Sequence, residues 1–169
     1  MGSSPIIRPI FMIKQDNKFV LQTVQPGLAG LMDGSISTLA PIFAAAFATQ
    51  KPHVAFLVGV SAAVGAGISM AFAEGLSDDG KLTGRGHPFH RGVIIGIMTF
   101  LGGIFHTLPF LLTSFHAAVV LASFVVGLEL IAISYLRYRY FNMAFWKSIV
   151  MVMIGGGIVF AAGILIGAS

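Results

Sequence analysis

Five long apolar stretches, residues 27–48, 54–76, 92–112, 117–138 and 144–168, dictate what this chain can fold into. Crossing the hydrocarbon core of a bilayer, about 30 Å thick, takes roughly 20 helical residues. Each stretch is long enough, and each is rich in glycine, as membrane helices tolerate. A membrane barrel would instead alternate apolar and polar residues over about ten positions. Segments 119–126 and 149–154 do not alternate. The fold class read from this pattern is all-α, a polytopic membrane protein with five transmembrane helices.

Composition agrees. Of the 169 residues 56% are hydrophobic and only 9% charged, against about 25% charged in a soluble domain. Mean hydropathy is +0.92. So few charges cannot cover a water-facing surface, which argues against a soluble enzyme, and no catalytic activity is expected. The same composition excludes disorder. There is no cysteine, hence no disulfide and no thiolate metal site. The net charge of +4 is not a nucleic-acid signature, because the basic residues sit between the apolar stretches and no nucleic-acid motif accompanies them.

Their placement sets orientation. With five crossings, the N-terminus and the second and fourth links share one side. That side holds Arg8, Lys14, Lys18, Lys81, Arg85, Arg91, Arg137, Arg139 and Lys147; the other holds only Lys51. Basic loops stay in the cytoplasm, so the N-terminus is expected there, in an integral protein of a bacterial inner membrane. Residues 1–24 read as an N-terminal cytoplasmic segment, and 25–169 as the five-span membrane domain. Segment 11–24 reads either as an interfacial amphipathic helix or as a partly ordered tail. It lacks the cleavage site of a signal peptide.

Ionisable groups inside a span are the informative ones, because burying them in hydrocarbon is costly. Setting aside Arg137 and Lys147 at the span ends, there are four: Asp33, Glu74, His106 and Glu129. At about 1.5 Å of rise per residue, Asp33 lies about 9 Å deep, level with Met70 on the second span. On the same count Glu129 lies about 13 Å deep and His106 about 21 Å deep, so the four read as a ladder of titratable groups. Glu74 follows Met70 by one turn on the same face. That face continues through Ser77 and Asp78. Carboxylates with a soft thioether suit a divalent transition metal better than Mg²⁺ or Ca²⁺. Asp33, Met70 and Glu74 are the candidate metal path, Glu129 and His106 a candidate proton path, and Asp78 and Asp79 a candidate capture site in the 77–91 link. Pro41 breaks the first helix and frees a carbonyl near Ser37.

Each feature has a bland counterpart. A lone carboxylate can be protonated and hydrogen-bonded to backbone. Met70 can be packing. His106, before Thr107, Leu108 and Pro109, can bond a carbonyl freed at a kink. The acidic and histidine side chains of the link can be simply solvated. Small residues at four-residue spacing, Gly59, Ala63 and Gly67, then Gly163 and Gly167, allow close helix approach. They serve either a homodimer or packing within one subunit.

The segments QPGLAGLMDGSISTLAPIFAAAFAT, VGAGISMAFAEGLSDDG and LTGRGHPFHRGVIIGIMTFLGGIFHTLPFLL resemble the vacuolar iron transporter family. The likeness is nearest to the membrane domain of bacterial membrane-bound ferritins and covers roughly residues 21–169. It implies a five-span homodimer that moves Fe²⁺, and also Mn²⁺, out of the cytoplasm in exchange for protons, with no tightly bound cofactor. The family's first-span Asp maps to Asp33, and its second-span Met and Glu to Met70 and Glu74. Two departures matter. The 77–91 link is too short for the Glu-rich metal-collecting domain of plant-type members, and fewer than thirty residues precede the first span, where bacterial fusions carry a ferritin-like domain. Iron capture is therefore expected from a separate ferritin-like partner or from a region ahead of this sequence. The competing reading, from a different class, is a non-transporting membrane anchor that docks such a partner; an intramembrane Asp33 serves no purpose there.

Overall fold

The computed structural model describes residues 18–81, 83–141 and 143–169. Five helices are long and apolar enough to cross a membrane: Val20–Thr49, Pro52–Gly75, Pro88–Phe105, Phe115–Phe141 and Phe145–Gly167. No strand occurs among the described residues. This is the build of an integral membrane protein, and its outer face agrees. Ile68, Phe72, Val120, Phe124, Met151, Ile154 and Ile158 all point away from the core. Tyr138, Tyr140 and Trp146 stand exposed together at one end, where amphipathic rings suit a membrane interface.

The first span is two helices. It opens with a π-helical turn at Val20–Val24, continues as α1 (Gln25–Ser37), breaks at Thr38 and resumes as α2 (Leu39–Thr49). Pro41 has no N–H for the Ser37 carbonyl, which is why the ladder lapses there. The helix runs unbroken across position 24, where the sequence suggested a separate segment. The 11–17 part of that segment, with Arg8 and Lys14, lies outside the described residues.

The second span, α3 (Pro52–Gly75), starts after only Gln50 and Lys51, with Pro52 in its first turn. Gln50 makes the reversal in the left-handed conformation, φ 52°. The third span, α4 (Pro88–Phe105), ends seven residues before the expected Leu112. Proline at 109 cannot donate to the helix, and a short 3₁₀ turn at Leu108–Leu111 takes over. The fourth and fifth spans are α5 (Phe115–Phe141) and α6 (Phe145–Gly167).

Glycine decides the packing. A Cβ on Gly30 would overlap the Ile95 carbonyl, and one on Gly34 the Thr99 carbonyl, so α1 lies directly on the α4 backbone. α3 packs on a neighbouring face of α4, Gly67 against Gly96 and Phe100. α6 lies on α2, where Gly163 and Gly167 meet Ala40 and Ala44. Gly59 sits against Thr107 and Ile42. All four glycines read as a seam for a second subunit are thus used within the chain. In the interior, Leu39, Ile42, Phe43 and Ala46 of α2 meet Ala118, Ala122 and Val126 of α5 and Phe110 of the 3₁₀ turn. Phe43 stacks edge-on against Phe160 at 4.5 Å and Phe110 at 5.9 Å.

The close α1–α4 seam has a direct test. Gly34→Ala drives a methyl into a backbone carbonyl that cannot move aside, and overpacking of this kind costs about 1–3 kcal/mol or more. Gly65→Ala meets nothing within 4 Å and removes a poor helix former, worth up to about 1 kcal/mol. Thermal melts in detergent should show the first variant clearly destabilised and the second unchanged or slightly stabilised.

Candidate functional site: two polar networks and an unpaired carboxylate

The ionisable residues fall into three places. The first is the link between α3 and α4. The side chain of Arg91, in the first turns of α4, is completely buried. Its Nε donates to Glu74 Oε1 at 2.7 Å, its Nη1 to the Gly86 carbonyl at 3.0 Å, and its Nη2 to Ser77 Oγ at 3.3 Å. Arg85 donates to the same Glu74 oxygen at 2.6 Å and to Asp78 Oδ2 at 3.3 Å. Asp78 Oδ1 also accepts from the Gly80 N–H at 2.6 Å. Gly80 turns with φ +73°, and a Cβ there would strike the Gly86 carbonyl. The link is thereby clasped over the ends of α3 and α4. His87 caps α4, its Nδ1 accepting from the Phe89 N–H at 3.2 Å.

This arrangement bears on the residues singled out as metal ligands. Glu74 is held by two guanidiniums, Asp78 by the same two, and Asp79 pairs with Lys81 in solvent. Among the described residues, no three His, Asp or Glu side chains converge as an ion site. Glu74 and Asp78 come together as expected, but around arginine. Partial burial pushes Asp78 up, yet the Gly80 hydrogen bond and the Arg91 and Arg85 charges outweigh it and hold its carboxyl below the usual range.

The second place is the interior. His106 follows the last residue of α4, fully buried. Its Nε2 lies 2.9 Å from Thr38 Oγ1, and its Nδ1 lies 3.0 Å from Glu129 Oε2. The Thr38 hydroxyl donates to the Gly34 carbonyl at 2.8 Å; the Thr38 N–H points instead to the Ile36 carbonyl. Three spans are joined by this chain of bonds, at the break in the first. Glu129 is only 9% exposed, and its second oxygen, Oε1, is buried with no hydrogen-bond partner among the described residues. The rungs counted 8 Å apart from the sequence are therefore side by side. Helix counting takes no account of the early end of α4, which lets His106 turn across to α5.

The third place is Asp33, half-buried on α1 next to Gly34. It makes no ion pair or hydrogen bond through its side chain among the described residues. Met70 is half-buried on α3, likewise without a polar partner. Neither joins the two networks. Arg137, at the end of α5, lays its guanidinium on sulfur, Met143 at 3.3 Å and Met32 at 3.9 Å.

Thr38, Arg85 and Arg91 were missed as site residues. Thr38 had a readable signal, a hydroxyl three residues before a proline in a span. Arg91 had one too: after Pro88 it falls inside the helix, facing the only carboxylate at the end of the second span.

Comparison with protein-family models, with curated proteins and with solved structures finds no match to this sequence.

The clasp has a defined pH response. Asp78 is depressed in the folded state, so its contribution is complete above its unfolded value, about 3.9. It is lost as pH falls through the lower folded value. A spin label at Lys81 should stay immobile at pH 5 and loosen only below the ordinary aspartate range; Asp78→Asn should loosen it at neutral pH. Arg91→Gln strands Glu74 with Arg85 alone, and breaking a buried pair costs about 3–5 kcal/mol.

Proposed function

We propose that this chain is a carrier that exports a divalent transition metal, Fe²⁺ and also Mn²⁺, from the cytoplasm in exchange for protons. It works as a homodimer in a bacterial inner membrane, with its N-terminus in the cytoplasm. The observation that carries this reading is Asp33. A carboxylate in a membrane-spanning helix is costly, and every other acidic group of the spans has a partner in its own chain. Among the described residues Asp33 alone has none; it is half-buried on α1, one turn from a helix break. Such groups mark ion pathways, and broken helices line them. A second copy facing Asp33, with water between, would give the carboxylate the environment that one subunit lacks. The glycine faces are already used internally, so this dimer would meet along the first span.

Asp33 would exchange a proton for the metal, because binding requires the deprotonated form. Met70 would add a soft ligand favouring Fe²⁺ over Mg²⁺ and Ca²⁺, while the carboxylate also suits Mn²⁺. Glu74, held between Arg85 and Arg91, fits the gate end of the path better than a free ligand. The resemblance of the Asp33 and Met70–Glu74 segments to the vacuolar iron transporter family supports the same assignment, and the positive-inside bias supports the direction.

The test is flux in proteoliposomes loaded with a metal-sensitive and a pH-sensitive dye. Wild type should move Fe²⁺ and Mn²⁺ and drive protons the opposite way. Asp33→Asn, which keeps shape and removes charge, should lose both. Met70→Leu should fold normally, since volume-conserving swaps cost less than about 1.5 kcal/mol, and should transport more slowly. Metal flux at the wild-type rate in Asp33→Asn would take Asp33 out of the path, and a wild type that moves no metal would leave the anchor reading in its place.

A further inference from the structure

We infer that His106 and Glu129 form a proton-binding site that Thr38 connects mechanically to the break in the first span. The inference rests on the exchange reading above and assigns its proton side. It begins from counting hydrogens. A hydroxyl has one proton to give. Thr38 gives its proton to the Gly34 carbonyl, which can only accept. The Thr38 oxygen must then accept from His106, so Nε2 carries a hydrogen. The 3.0 Å contact between Nδ1 and Glu129 Oε2 needs one proton more, on nitrogen or on oxygen. As arranged here, the pair holds that proton and is neutral overall.

Remove it, and the geometry cannot persist. An imidazole with hydrogen on Nε2 would turn a lone pair toward a carboxylate. The ring relieves this by moving its hydrogen to Nδ1, which then donates to Glu129. Nε2 becomes an acceptor, and the Thr38 hydroxyl must swing onto it. The Gly34 carbonyl then loses its partner. Proton release at Glu129 is thus felt at the Gly34–Ser35 peptide, in the last turn before the helix break. Glu129 Oε1, buried and without a hydrogen-bond partner among the described residues, is the acceptor through which a proton can enter or leave without disturbing the Nδ1 contact.

Little else titrates nearby. The first span contributes Asp33, one turn away. The second carries no ionisable group between His53 and Glu74, and the third none between Arg91 and His106. On the fourth, Tyr135 and Arg137 lie toward one end and His116 toward the other. The fifth carries only Lys147, at its start. A pH response in the interior therefore belongs to this pair or to Asp33.

The experiment uses the full chain in liposomes with Mn²⁺ as the probe metal, and infrared difference spectra across a pH step without metal. Wild type should show a Glu129 signal, carboxyl or carboxylate, that changes on raising pH and is missing in Glu129→Gln. Glu129→Gln and His106→Gln should lose the acceleration of Mn²⁺ movement by an imposed pH gradient. Thr38→Val, which keeps the pair but removes the hydroxyl, should retain the infrared signal and lose the acceleration; Thr38→Ser should restore it. A wild type that moves Mn²⁺ with a pH response shared by Glu129→Gln and His106→Gln would overturn the inference. So would the absence of any Glu129 signal. A wild type that shows the Glu129 signal and moves no metal would sustain the proton site and overturn the transport reading instead.

Discussion

Two carbonyl groups of the third span, at Ile95 and Thr99, lie so near the first span that only a hydrogen atom fits opposite them. Gly30 and Gly34 supply it. In lipid there is little hydrophobic drive between helices, and close backbone approach is what replaces it. Much else follows from this seam. It sets the depth of α1 against α4, and so brings Thr38 level with His106. It fixes the end of α4 beside α5, and so brings His106 to Glu129. A looser seam would leave three buried polar side chains without the partners that make their burial affordable.

The charges are sorted by the same logic. At the α3–α4 link they neutralise one another: two arginines and two carboxylates, with the Gly86 and Asp78 carbonyls and the Ser77 hydroxyl, leave Arg91 fully buried with its donors occupied. In the interior, one histidine and one glutamate share a contact and a hydroxyl. Asp33 is the exception. Its lack of any side-chain partner among the described residues, beside two networks in which every other carboxylate of the spans is engaged, is the reason to assign it a task rather than a place in the packing.

The number of spans was legible because length and apolarity alone decide whether a helix can cross a membrane. Their ends were less so. α4 starts at Pro88, earlier than its polar flank suggests, because His87 caps it and Arg91 finds carboxylates to pair with. It ends early because Thr107 and Pro109 divert the chain. Asp33, Glu74, His106 and Glu129 were identifiable as the costly residues of the spans. Their partners were not, since a contact such as His106 to Glu129 depends on which helices adjoin and how far each turns. The glycine repeats were visible as close-packing faces. Sequence spacing alone does not say whether such a face meets a neighbour in the same chain or a second copy.

The first span divides at Thr38 into halves that belong to different neighbours. α1 is locked to the third span through Gly30 and Gly34. α2 is locked to the fifth through Ala40 and Ala44 against Gly163 and Gly167. Each half is held tightly, so relative movement of the two packing units must be absorbed between them. That point lacks one helical hydrogen bond on account of Pro41, and its remaining bond to Gly34 comes from a hydroxyl able to rotate. A backbone N–H could not change partner without unwinding a turn; a threonine side chain needs only one torsion. The joint between the two units is thus also where the buried His106–Glu129 pair acts on the backbone. A carrier that alternates between two arrangements would need such a joint, and it lies one turn from the only unpaired carboxylate among the described residues of the spans.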